Sequence, residues 1–150
     1  MRALGVDPGA RRVGLALSDE DRMLAMPHAT LEVSGKPAVA RRVARVVAAQ
    51  EVSTVVVGLP LKLDGQEGEA ARRARRFAES LGALPELGGV EIVMWDERLT
   101  TAAAERSLRT GAVRGARQRQ VVDQVAAALL LQSYLDAQRS GGGRDGDPDA

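Results

Sequence analysis

Two short β-branched runs, STVVVG at residues 53–58 and EIVMWD at residues 91–96, are each followed by a loop and a stretch of helical periodicity. Runs so short and so apolar suit strands covered on both faces, which demands helices above and below a sheet. Upstream, RALGVD at 2–7 and RVGLALS at 12–18 flank P-G-A-R, a turn-forming sequence that predicts an antiparallel hairpin. A weak third strand is expected over 28–33. In residues 36–50, KPAVARRVARVVAAQ, Val39, Val43, Val46 and Val47 share one helical face and Arg41, Arg42 and Arg45 lie mostly off it. Further helices are expected near 67–82 and 101–110 and around 118–138. The order β-β-β-α-β-α-β-α-α predicts an α/β fold with a mixed sheet, its first three strands antiparallel, and helices on both faces.

At 150 residues the chain is long enough for one domain with a core, placed at 1–139, with a flexible Gly/Asp-rich tail over 140–150. Removing residues 141–150, which hold Arg144 and three aspartates, raises the formal net charge from +1 to +3. Cysteine is absent, and His28 is the sole histidine, which rules out thiol catalysis, disulfides, thiolate-bound clusters and multi-histidine metal sites. A bound metal would be a hard ion held by carboxylates, Mg²⁺ or Mn²⁺. No apolar stretch approaches the roughly 18–20 residues of a membrane span, so the chain is expected to be soluble and cytoplasmic, with no membrane partner.

Functional groups of such sheets gather at the carboxyl ends of the strands. Asp7 follows the apolar strand ALGV and precedes Gly9, as a turn-former or as a ligand with glycine admitting a phosphate. Asp96, Glu97 and Arg98 follow EIVMWD's apolar core, either complementing a helix dipole with Thr100 or Thr101 as N-cap, or serving a metal and a phosphate. Asp123 sits among Val121, Val122, Val125 and Ala126 on the last helix. There it either occupies a narrow solvent stripe with Gln124 or is buried, and a buried carboxylate needs an arginine or a metal.

Three carboxylates from two strand ends and a helix form a plausible cage for two divalent ions that activate water and stabilise the leaving oxygen of a phosphodiester. The segment from Arg106 to Gln120 carries Arg106, Arg109, Arg114, Arg117 and Arg119 without an acid. It suits backbone clamping without base reading, and its glycines suggest mobility before substrate arrives. Arg72, Arg73, Arg75 and Arg76 are flanked by Glu67, Glu69 and Glu79 at helical spacings and read as a solvated face. Phe77, Trp95 and Tyr134 are too few to build a stacking platform. Ser18 has no recognisable base, GGGRDG at 141–146 opens no helix, and no P-loop pattern is present.

Four blocks, LGVDPGARRVGLALSD (4–19), VVVGLPLKLDGQEG (55–68), WDERLTTAAA (95–104) and VDQVAAALLLQSYLD (122–136), resemble in their order the YqgF/RuvX family, described both as pre-16S rRNA nucleases and as Holliday junction resolvases. The resemblance implies an RNase H-like fold with a five-stranded mixed sheet and a metal-dependent nuclease site of Asp7, Glu97 and Asp123, with Asp96 the rival to Glu97. RuvC-type resolvases place a glutamate where Gly58 stands, and many family members have asparagine where Lys62 stands. Arg11, Lys62, Arg98, Arg114, Arg117 and Arg119 are the candidates for nucleic-acid contact.

The reading that follows is a Mg²⁺- or Mn²⁺-dependent endonuclease on structured nucleic acid, processing the 5′ end of pre-16S rRNA. Its alternatives are a Holliday junction resolvase, whose paired nicks need two sites and hence a homodimer, and a non-catalytic nucleic-acid binder in ribosome assembly.

Overall fold

The structure, a computed structural model, describes residues 1–33, 38–99 and 116–145. Strands β1 (Arg2–Pro8), β2 (Arg12–Ser18), β3 (Ala25–Glu32), β4 (Val52–Leu59) and β5 (Glu91–Asp96) form one sheet in the order β3-β2-β1-β4-β5. The β1–β2 and β2–β3 pairs are antiparallel, whereas β1–β4 and β4–β5 are parallel. Helices α1 (Ala38–Ala49), α2 (Glu69–Gly82) and α3 (Ala116–Asp145) and short 3-10 turns at Pro85–Leu87 and Glu97–Leu99 complete the described elements.

Alternation along the strands sorts side chains by size as well as polarity. Leu4 and Val6 of β1, Val13 and Leu15 of β2, and Val55 and Val57 of β4 point to α1 and α2, where they meet Val39, Val43, Val47 and Leu81. The opposite face carries Ala3, Gly5, Gly14, Ala16, Val56 and Gly58, and α3 lies on it through Ala127, Leu131, Tyr134 and Leu135. Small residues there let the helix approach the strand backbone. A Cβ on Gly5 would lie 2.8 Å from Leu131 Cβ, and one on Gly14 only 2.2 Å from the Asp123 carbonyl oxygen. Trp95 of β5 closes this layer edge-on against Tyr134, with ring centroids 5.3 Å apart. Its indole N–H donates to Ser133 Oγ at 3.2 Å.

The first turn is closed by the Gly9 N–H donating to the Arg12 carbonyl at 3.0 Å. A side chain at position 9 would collide with that carbonyl at 2.6 Å, which explains the glycine. The third strand begins at Ala25, three residues before the expected 28–33, because Asp19 Oδ1 accepts the N–H groups of Met23 and Leu24 and turns the chain early. As an edge strand β3 is largely exposed, which is why its sequence lacks a clear apolar pattern, and it carries His28. The last helix runs past 118–138 to Asp145, so helical backbone continues six residues into the segment expected to be a tail. Each added residue extends a ladder already nucleated by the packed part of α3. The helix expected at 101–110 and the arginines 106, 109 and 114 lie outside the described residues, as does the mobility expected of that connection. Among the described residues no helix is long and apolar enough to cross a membrane.

Candidate active site

Asp7 belongs to β1 itself, ahead of the turn, paired with Gly14 of β2 and only 3% exposed. It shares strand parity with Ala3 and Gly5, so its side chain belongs to the α3 face. Val6 pairs with Val57 in the parallel β1–β4 ladder, which makes Gly58 the neighbouring position on the adjacent strand.

Glu97 arrives there from β5. The strand ends at Asp96 and the chain passes into a single 3-10 turn over Glu97–Leu99. That turn leaves Glu97 at 2% exposure with its carboxylate over Gly58, where a Cβ would stand 2.5 Å from Oε2. Asp96 goes elsewhere. It accepts from the Arg98 N–H at 2.9 Å and Nη2 at 2.8 Å, and this pairing holds its carboxyl below the ordinary range while raising the guanidinium. Of the two rivals, Glu97 occupies the face that Asp7 shares and Asp96 is committed to Arg98.

Asp123 reaches the same end of the sheet from α3. Its backbone rests against Gly14, the cross-strand partner of Asp7, and it is 8% exposed, so the solvent-stripe alternative with Gln124 does not hold. The partner that burial demands is Arg12, whose Nε donates to Oδ2 at 2.6 Å. Arg12 went unremarked in the sequence, where its neighbour Arg11 was favoured; Arg11 is exposed at the turn. Strand parity could have found it, since residue 12 shares the face of Gly14 and Ala16.

Lys62 and Arg98 border the site at the ends of β4 and β5. Lys62 sits on a braced turn: its N–H donates to the Gln66 carbonyl at 2.9 Å, its carbonyl accepts from Gly65 at 2.8 Å, and Gly65 has φ of +87°. Arg98 Nη1 reaches the Leu63 carbonyl at 3.5 Å, tying this loop to the turn that carries Glu97. Arg117 and Arg119 lie in the first turns of α3 by backbone, and Arg114 lies outside the described residues. Arg72, Arg75 and Arg76 of α2 form a solvated face, Arg75 paired with Glu67 and Arg72 and Arg76 with Glu69, whereas Arg73 is half-buried. Ser18 is structural, accepting from the Ala3 N–H at 2.8 Å and donating to the Asp19 carbonyl. A cavity of about 410 Å³ opens on the other face of the sheet, against Val13, Val39 and Phe77, and takes no part in this site.

Buried, oxygen-only donors at the sheet end match the preferences of a hard divalent cation, and Gly58 keeps the space above β4 free for the Glu97 carboxylate. Among the described residues, however, no three acidic groups stand close enough to hold one ion together, and Asp123 is engaged by Arg12.

The sequence model of the RuvX family, described as Holliday junction resolvase, matches residues 1–137. The chain belongs to the RuvX family. Relatives from Thermobifida fusca (strain YX) and Myxococcus xanthus (strain DK1622) are 48% and 42% identical over 143 and 139 residues. These alignments cover 91% and 93% of this chain and 87% and 90% of theirs, and both proteins bear the name "Putative pre-16S rRNA nuclease". Among solved structures, T. thermophilus RuvC in complex with a Holliday junction substrate is similar at a TM-score of 0.60 and 18% identity, covering 94% of this RuvX-family chain and 96% of that one. A fowlpox virus resolvase bound to Holliday junction DNA is similar at 0.52 and 10% identity, covering 91% and 98%. At such identities the likeness concerns the fold, and the RNase H-like mixed sheet expected from the sequence is the one observed.

Proposed function

We propose that this chain is a divalent-metal-dependent endonuclease that hydrolyses phosphodiesters in structured nucleic acid, with the 5′ end of pre-16S rRNA as its substrate. The observation that carries this reading is that Asp7, Glu97 and Asp123, each less than a tenth exposed, all lie on the α3 side of the same end of the sheet. Buried carboxylates on one face of a sheet, in a member of a family described as Holliday junction resolvase, are the oxygen donors a hard divalent cation takes.

Asp7, Glu97 and Asp123 would hold Mg²⁺ or Mn²⁺, which when bound supplies a hydroxide at neutral pH and charge stabilisation for the leaving oxygen. The protein's own groups orient the substrate. Lys62 on its braced loop and Arg98 beside Glu97 offer cations at the rim, and Arg11 offers one at the hairpin turn. Arg114, Arg117 and Arg119 would extend this track along the backbone, giving salt-sensitive affinity with little base preference. Gly58 leaves room for the Glu97 carboxylate, which thereby supplies from β5 the acid that β4 lacks.

The family description favours one second reading, cleavage of a DNA four-way junction by paired nicks, which requires a homodimer. Labelled 5′-extended 16S precursor RNA and a four-way DNA junction, incubated side by side with Mg²⁺, Mn²⁺ or EDTA, separate the two. The proposal expects metal-dependent cutting of the RNA. Symmetric nicking of the junction alone would move the assignment to resolvase, and binding of both without cutting would make the chain a non-catalytic assembly factor.

A further inference from the structure

Asp123 and Arg12 lie 111 positions apart and meet through a 2.6 Å bond, with their side chains 11% and 23% exposed. The backbone of Asp123 packs closely on β2, its carbonyl oxygen 2.2 Å from where a Cβ of Gly14 would be. With the main chain seated there, rotation of the side chain decides where the carboxylate goes. It can stay on Arg12, or it can turn toward the face occupied by Asp7, the cross-strand neighbour of Gly14. In this structure it is on Arg12, and among the described residues no three acids are gathered closely enough to hold an ion.

We infer that Arg12 is an internal counter-cation for Asp123: a positioning residue that holds the third acid in the ion-free protein, yields it when a divalent ion binds, and so sets the affinity for that ion. The inference rests on the metal-dependent reading above. Guanidinium and metal compete for one carboxylate, so whatever Arg12 contributes to the ion-free state is subtracted from ion binding. The planar fork of arginine suits this task better than lysine, because it stays charged when partly buried and bonds a carboxylate with directed geometry. Glutamine at position 12 removes the competitor and leaves Asp123 without its charge partner.

Calorimetric titration of Mn²⁺ into the wild type, Arg12→Gln, Arg12→Lys and Asp123→Asn tests this, together with the melting temperature of each protein without metal. Arg12→Gln is expected to bind Mn²⁺ about ten-fold more tightly than the wild type, the order expected for losing one charge-assisted bond. Its ion-free melting temperature is expected to fall by roughly 2–4 °C or more. Arg12→Lys should lie between them, and Asp123→Asn should bind weakly and no longer respond to a second change at position 12. In the unaltered protein, the Arg12 Nε–H resonance in ¹⁵N spectra should move on saturation with Mg²⁺, a readout that no folding defect can disturb. Equal or weaker Mn²⁺ binding by Arg12→Gln, or an Nε–H resonance unmoved at saturation, overturns the role given to Arg12 while leaving the metal site standing. Failure of the wild type itself to take up Mn²⁺ or Mg²⁺ overturns the metal reading, and this inference with it.

Discussion

The Glu97 carboxylate and Gly58 fit one another: Oε2 lies 2.5 Å from where a Cβ of residue 58 would be, and Leu130 Cδ2 lies 3.1 Å from the same point. Gly58→Ala therefore cannot be accommodated without displacing the acid, the helix side chain or both. Those atoms are the far ends of side chains that can swing aside, so the cost in stability is expected at or below the low end of the about 1–3 kcal/mol of overpacking. Because a 1 Å misplacement of a catalytic group can cost about 10²-fold in rate, cleavage is expected to fall further than stability does. Paired denaturant unfolding and single-turnover cleavage check this. An alanine variant with unchanged cleavage would show that Glu97 need not sit over β4.

Asp96 and Glu97 should separate cleanly by substitution. Glu97→Gln is expected to lower cleavage on the order of 10³-fold, about 4 kcal/mol of barrier, with the fold intact. Asp96→Asn should leave the chemical step standing and act through Arg98, raising the substrate concentration needed and weakening the link from Arg98 to the Leu63 loop. Steady-state kinetics of the two variants decide the matter. The reverse ranking would give the ligand role to Asp96.

The Asp96 carboxyl is held below its ordinary value chiefly by its hydrogen bond to Arg98. A depressed folded-state value means that the pairing contributes fully above the unfolded value near 3.8 and is lost as pH falls through the lower, folded one. Carboxyl NMR titration should place Asp96 below the ordinary aspartate value of 3.8. The Asp96→Asn variant should lose that part of the acid-side stability change, with no difference above about pH 5 arising from titration at this position.

Tyr134 is 5% exposed and meets the edge of Trp95. Tyr134→Ala should cost about 3–5 kcal/mol through the cavity left between α3 and β5. As the sole tryptophan, Trp95 reports on that interface directly. Its fluorescence and the far-UV dichroism should lose their native signals together in the wild type, and at lower denaturant in the variant.

Much of the architecture was legible because the short apolar runs STVVVG and EIVMWD mark strands covered on both faces and P-G-A-R marks the hairpin between the first two strands. Strand parity carries Asp7 to the α3 face, and the apolar surroundings of Asp123 left burial as one of two alternatives while tying that alternative to a partner. What could not be read was the identity of that partner. Arg12 lies 111 residues away, and only the stacking of α3 on Gly14 brings the two together. The resemblance named Glu97 with Asp96 as its rival, and what the residues alone did not show is that the chain leaves β5 in a 3-10 turn that reorients the next side chain. The edge strand β3 was placed three residues late because an exposed edge has no apolar pattern to betray its start, and its boundary was set by Asp19 capping the turn.

The central claim is that Asp7, Glu97 and Asp123 act with a divalent ion to hydrolyse a phosphodiester. Single-turnover cleavage of 5′-labelled precursor 16S RNA by wild type and Asp7→Asn, across a Mn²⁺ titration and in EDTA, tests it most directly. The account predicts cutting at the 5′ end of the 16S sequence that rises with Mn²⁺, vanishes in EDTA and falls on the order of 10³-fold or more in a folded Asp7→Asn protein. Cutting that survives in EDTA or in Asp7→Asn would contradict it.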